Sequence, residues 1–196
     1  KYFFIINEEY GRDQNLRDIL HDICVRHHFS YKIVSVDRLT EGPACTVNHI
    51  RDLVSMDCPM LISNSDQVLS WSFDSFMLTA NQEKVDGCIL TYQPDYPLVL
   101  GEKDKHSFVR LDTANRVVEC AEKIVLSDKA TVGTYYFKYA DDFFNAYDYM
   151  IRNDMRAPNG EFYISLVYEA MIRLGRFIVF HDLQPGEKFY PVGEPE

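Results

Sequence analysis

The sequence predicts an α/β fold with a mainly parallel, mixed sheet, helices on both faces and an antiparallel hairpin extension. Three observations carry that expectation. The opening run KYFFIIN is apolar on both faces, as in a parallel strand covered from two sides. Through residue 93, short apolar runs alternate with segments of helical periodicity, the rhythm of βαβ units. After that the rhythm turns to hairpin-like runs, then to two long amphipathic segments.

Taken in order, 1–7 is the first strand, and Asp13 caps a helix carrying Leu16, Ile19, Leu20 and Ile23 on one stripe. YKIVSVD (31–37) is the second strand and Thr46 to Met56 the second helix. PMLIS (59–63) is the third strand, with a helix in SFDSFML after Trp71. DGCILTY (86–92), entered through Gly87, is the fourth strand. SFVRLD (107–112), the turn TAN and RVVECAEK (116–123) form an antiparallel hairpin, and TVGTYYFKY (131–139) is another strand. Asp141 to Asn153 and Glu161 to Leu174 are helices separated by the turn APNG, and RFIVFHDL (176–183) and KFYPVG (188–193) are closing strands. The expected organisation is one domain over 1–196, with a nucleotide-type half at 1–93 and a second half at 94–196.

Composition narrows the function classes. With 196 residues, 46% apolar and 26% charged, the chain is long enough and mixed enough for one sizeable core. A net charge of −10 without a Lys/Arg cluster argues against nucleic-acid polymers and anionic membranes, which need a basic surface. A small phosphorylated ligand stays open, because a divalent cation can supply positive charge. Cys24, Cys45, Cys58, Cys88 and Cys120 are odd in number and lack metal-site spacing, so reduced thiols in a cytoplasmic protein are expected. No run approaches the ~18 apolar residues of a membrane span.

Ligands of open α/β sheets lie beyond the carboxyl ends of the strands, which singles out Asp37, Asn64 to Asp66, and Thr91 to Tyr92 on one rim. Asp66 suits a hard cation such as Mg²⁺; Asn64 and Asp66 equally suit an Asx-turn or helix cap. In LTEGPACTVNHI (39–50), Gly42 and Ala44 let backbone approach a flat ligand, or form an ordinary glycine turn with Thr46 as cap. Glu122 and Lys123 offer an acceptor for hydroxyls and a cation for phosphate, or a solvated ion pair. No GxSxG, HExxH or placed Cys/His set is present, so a nucleophilic mechanism is not expected.

Six segments in order, LTEGPACTV, PMLISNSDQ, DGCILTY, SFVRLDTANRVVECAEK, SDKATVGTYYF and NGEFYISLVYEAMI, resemble the sugar-nucleotide pyrophosphorylases. The similarity is greatest to nucleotidyltransferase-like proteins of capsule and surface-polysaccharide synthesis, and it covers nearly the whole chain. It implies a Rossmann-like GT-A fold. It also implies transfer of a nucleoside monophosphate from an NTP to a sugar phosphate or similar phosphomonoester, with release of pyrophosphate. By that resemblance Glu41, Gly42 and Ala44 contact the nucleobase, and Asp66 binds catalytic Mg²⁺. Ser107, Glu122, Lys123, Gly133 and Glu161 serve the sugar and its phosphate, with Glu122 on hydroxyls and Lys123 on phosphate. The implied partners are a nucleoside triphosphate and a small phosphorylated substrate, not nucleic acid or membrane, with homo-oligomers allowed.

Three departures qualify the resemblance. The family's glycine-rich loop, with its basic residue and Pro-Lys pair, would precede Lys1, so roughly 40–60 upstream residues are expected and this chain alone is expected to be inactive. The second metal position falls in YPVGEPE, where Glu194 stands in for the usual Asp, and the usual Pro after the Glu-Lys pair is Ile124. A non-catalytic nucleotide-sugar-binding module is the alternative. A GT-A glycosyltransferase is a further one, although NSDQ supplies one acid where a pair would be wanted.

Overall fold

The computed structural model describes residues 1–9 and 15–192, and the chain divides into two compact units, Lys1–Val54 and Ser55–Glu196. The expected helix cap Asp13 and the candidate metal ligand Glu194 lie outside the described residues.

In the first unit, β1 (Tyr2–Asn7) and β2 (Tyr31–Val36) pair in parallel from Tyr2↔Tyr31 to Asn7↔Val36. The connecting α1 (Leu16–Arg26) buries Cys24, whereas Ile19 and Ile23 of the expected stripe stay exposed, at 51% and 43%. A two-stranded sheet offers little area to cover such a stripe. The helix expected over 46–56 is instead α2 (Pro43–Asn48), followed by a 3₁₀ turn, Arg51–Leu53. Gly42 takes φ 134°, which an L side chain resists, and Pro43 occupies the first helical turn, where its missing N–H costs nothing. Thr46, read as a cap, lies inside the helix and returns its hydroxyl to Gly42 O at 3.3 Å.

The second unit holds a six-stranded sheet in the order β7 (Val117–Ile124), β6 (Lys103–Leu111), β8 (Ala130–Phe137), β5 (Gly87–Tyr92), β9 (Ile178–Asp182), with β3 (Met60–Ser63) also on β8. The ladders set the strand directions: β3, β5, β6 and β9 run one way, β7 and β8 the other. Because β8 separates β3 from β5, the β5–β9 ladder is the parallel one here, and the others are antiparallel. The α/β class and mixed sheet are as expected; the reversal of β8 among co-directional strands is the added finding.

Helices cover both faces. On one, Cys88, Leu90, Val132 and Tyr136 pack with Phe76 of α3 (Phe73–Ala80). On the other, Tyr135 and Phe137 meet Tyr168 of α5 (Ile164–Arg173), and Phe137 meets Phe143 of α4 (Ala140–Arg152). Alternate residues of β5 and β8 therefore serve opposite cores, which is why these strands are apolar throughout. One strand went unread: β4 (Gln67–Ser70) pairs antiparallel with β10 (Lys188–Pro191) as a separate ribbon.

Candidate functional site

The geometry of the site begins with a break in strand regularity. Successive strand residues point to opposite faces, so Glu122 and Lys123 of β7 would normally diverge. Here the β6–β7 register jumps from Lys103↔Ile124 to Ser107↔Glu122, an irregularity of the bulge type, and Lys123 takes φ 59°. Both side chains consequently reach the start of α5. Ser165 donates its hydroxyl to Glu122 Oε2 at 2.6 Å, and Lys123 Nζ lies 5.5 Å from the ring centroid of Tyr163.

The segment leading into α5 supplies the second carboxylate. Asn159 donates through Nδ2 to Glu161 Oε2 at 2.7 Å and to the Tyr163 oxygen at 3.0 Å, and Tyr163 donates to the same Glu161 oxygen. Backbone bonds from Ala157 N to Glu161 O (2.9 Å) and from Gly160 N to Ala157 O (2.8 Å) hold the turn. Glu122, Lys123 and Glu161 are thus gathered by one bulge and one helix entry.

Glu122 is 6% exposed. Burial pushes its carboxyl above the usual range, Glu161 adds to the rise, and the Ser165 and Ser107 hydroxyls and Lys123 oppose it. The Tyr163 hydroxyl is pushed up to about 12, first by burial and then by its bond to Glu161. Beneath Glu122, Ser107 joins a buried hydroxyl triangle: Ser107 Oγ to Thr131 Oγ1 at 2.8 Å, and Thr131 Oγ1 to Tyr135 Oη at 3.1 Å.

Gly133 forms the second part of the site. It sits in β8 with φ 84°, and the Asn64 side chain occupies the space a β-carbon would need: an added Cβ would lie 2.4 Å from Asn64 Nδ2. Asn64 N also donates to Gly133 O at 2.9 Å. Gln67 reaches Thr134 Oγ1 at 3.3 Å, so the β3–β4 turn is pinned to β8 at both ends. That turn presents Asp66, exposed, whose backbone oxygen accepts from Val192 N at 2.9 Å. The helix that follows is capped by Ser72, whose hydroxyl accepts from Ser75 N at 3.2 Å, so Asp66 is not its cap.

The structure thus brings Ser107, Glu122, Lys123 and Glu161 into one cluster, while Gly133 in β8 seats the β3–β4 turn that carries Asp66. Glu41, exposed, and Gly42 and Ala44, buried, belong to the other unit. Thr91, placed on the rim by its strand-end position, is instead fully buried and donates to Asp182 at 2.6 Å, beside the Lys129–Asp182 ion pair. Sequence reasoning missed Ser165, Asn159, Tyr163 and Thr131. Asn159 alone carries a local signal, standing two residues before Glu161 in NGE.

Among the described residues there is no group of three or more His, Cys, Asp or Glu placed to hold a metal. The donor set fits a cation shared with a substrate: Mg²⁺ is commonly bound by one or two carboxylates plus phosphate oxygens and water, and an exposed Asp at a turn tip matches that pattern. It does not fit an all-protein cage.

No protein-family model and no curated protein sequence matches the chain. Solved structures do. A nucleoside-diphosphate-sugar pyrophosphorylase from Vibrio cholerae RC9 superposes with a TM-score of 0.77 at 21% identity, over 100% of this chain and 78% of that one. An inositol-1-phosphate CTP transferase from T. maritima gives 0.68 at 14% identity, over 99% and 71%. A Bacillus anthracis protein described as a glucose-1-phosphate thymidylyltransferase gives 0.73 at 14% identity, over 97% and 70%. The expectation drawn from six ordered segments holds at the level of the fold: this chain has the fold of solved nucleotidyltransferases of sugar and inositol phosphates.

Proposed function

We propose that the protein is a nucleotidyltransferase that moves a nucleoside monophosphate from an NTP to a sugar phosphate or a similar phosphomonoester, releasing pyrophosphate. The observation that carries this reading is the convergence of Glu122, Lys123 and Glu161 at the entry to α5, within a fold shared with such transferases. Two carboxylates accept from hydroxyls of the acceptor, and the Lys123 ammonium neutralises its phosphate. An acceptor phosphate oxygen attacks the α-phosphorus, forming the new P–O bond as the bond to pyrophosphate breaks. Little covalent work falls to the protein, and positioning plus charge neutralisation supplies the catalysis.

Asp66 is the residue we assign to Mg²⁺, with Glu194 as the second candidate. The ion would offset phosphate charge when bound. We assign the nucleobase to Glu41, Gly42 and Ala44, the residues that match the base-contacting segment of the resembled family. Ser107 and Gly133 belong to the sugar side. The setting we propose is cytoplasmic synthesis of nucleotide sugars for surface polysaccharide, with homo-oligomers allowed. No helix among the described residues is long and apolar enough to cross a membrane.

The test is pyrophosphate release by the full-length gene product with Mg²⁺, an NTP panel, and glucose 1-phosphate or inositol 1-phosphate. Release that depends on the phosphomonoester is expected, and Asp66→Asn should lower it by at least about 100-fold. Full activity in that variant would sink the metal assignment. Binding without pyrophosphate release would favour a non-catalytic nucleotide-sugar module.

A further inference from the structure

The bond that Glu122 accepts from Ser165 carries the next inference, which rests on the acceptor-site reading above. We propose that Ser165 is a positioning residue of the acceptor subsite: from the first turn of α5, its hydroxyl fixes the Glu122 carboxylate in the orientation that receives an acceptor hydroxyl. Ser165 is 1% exposed and Glu122 6%, so bulk water does not substitute for this bond. A serine this early in a helix commonly bonds locally to backbone. This one instead crosses 43 residues of sequence to a strand, at 2.6 Å, the short range of a charge-assisted bond. Ser107, the residue opposite Glu122 in the β6–β7 register, also favours the charged carboxylate but shares its hydroxyl with Thr131 at 2.8 Å, whereas the Ser165 hydroxyl bonds Glu122 Oε2 at 2.6 Å.

The surroundings make the bond consequential. Glu122 is faced by Lys123 on its own strand, by Glu161 and Tyr163 at the helix entry, by Tyr135 on β8 and by Ser107 on β6. Burial and Glu161 favour its neutral form; Ser165, Ser107 and Lys123 favour the charged one. Removing the Ser165 hydroxyl tips that balance toward a protonated carboxyl, which is a poorer acceptor for a sugar hydroxyl.

The experiment combines two readouts on the full chain. ¹³C NMR of carboxyl-labelled glutamate, with Glu122 assigned by its loss in Glu122→Gln, follows the protonation midpoint of that carboxyl. Calorimetric titration with glucose 1-phosphate and inositol 1-phosphate across pH follows the acceptor. In Ser165→Ala the midpoint should move to higher pH and affinity should fall roughly tenfold near neutral pH, with the loss shrinking as pH rises. Ser165→Thr should restore both. If Ser165→Ala does not fold, Ser165→Cys keeps the volume with a weaker donor and should shift both readouts in the same direction. An unmoved midpoint, or an equal loss of affinity at every pH, overturns the positioning role. Should neither phosphomonoester bind the wild type, or should Glu122→Gln bind unchanged, the acceptor-site reading itself fails. That outcome is distinct from the case in which Glu122 matters and Ser165 does not.

Discussion

Two carboxylates of this molecule are held in opposite ways. Glu122 is buried, accepts from Ser165 at 2.6 Å, and stands over a hydroxyl triangle that reaches into the sheet. Asp66 is exposed at the tip of a turn, and what holds it is backbone: Val192 N on its carbonyl, and Asn64 seated against Gly133. A carboxylate fixed by protein donors is preorganised for a neutral hydroxyl. One fixed only through its main chain keeps its lone pairs for a ligand from outside, and a hydrated cation is the ligand that suits it. On the proposed reading, the difference teaches that one residue chemistry would serve two tasks according to which groups satisfy it.

The largest effect expected from disturbing this contrast lies at Gly133, since the Asp66 turn leans on it. A methyl there would meet Asn64 Nδ2 at 2.4 Å and Asn64 Cγ at 2.8 Å, on a backbone with φ 84°. Gly133→Ala should therefore cost about 2–4 kcal/mol, combining a left-handed penalty with overpacking. Denaturant titration measures it, and a loss below about 0.5 kcal/mol, the usual surface range, would show that the turn does not depend on this seat. Asp66→Asn, by contrast, should leave stability within about 0.5 kcal/mol of wild type while removing turnover.

Glu122 should behave in the reverse sense. Burial raises its folded-state carboxyl pKa, so the folded protein binds that proton more firmly than the unfolded chain does. Stability contributed by this group is therefore greatest at low pH, and it falls as pH rises from the ordinary glutamate value through the raised one. Glu122→Gln does not titrate, so it should match wild type near pH 4 and be the more stable protein at pH 8, by something on the order of 1 kcal/mol. Thermal unfolding of the pair across that range decides the sign. A wild type that gains on the variant as pH rises would mean that Ser165 and Lys123 outweigh burial. Stability given up for an ionised buried carboxylate is what a working acceptor site would require.

How much of this was legible beforehand follows from the range of each interaction. The strands were readable because β5 and β8 feed cores on both faces, which makes them apolar at every position. The direction of β8 was not, since an apolar run has no polarity in sequence. β4 escaped because its four residues lie between a turn and a helix, and its partner β10 is more than a hundred residues away. Glu122, Lys123, Gly133 and Glu161 were reached through ordered resemblance. Ser165 and Tyr163 were not, because the one meets Glu122 across 43 residues and the other meets Lys123 by the accident of a bulge. Local periodicity describes which face a residue occupies; it says nothing of what waits on the other strand.

A third carboxylate separates exposure from bonding as the cause of these contrasts. Asp112, at the β6–β7 turn, accepts from Arg116 N and Ala114 N, each at 2.9 Å, and from Arg116 Nε at 2.7 Å. The Arg116 backbone bond, ahead of its guanidinium and the Ala114 N–H, holds the carboxyl below its usual range. Here the sign is opposite to that of Glu122: the stability contribution is complete above the unfolded value and is lost as pH falls through the lowered one. Asp112→Asn keeps the turn geometry but weakens the charge-assisted bonds, so it should lower the melting temperature slightly at pH 7, by less than Gly133→Ala, and the gap should close in acid. Salt should narrow it too, since the Arg116 pair faces solvent. If the gap instead widens in acid, hydrogen bonding by the ionised carboxylate is not what holds the turn, and the bonding-based explanation of Glu122 loses its half-buried counterpart.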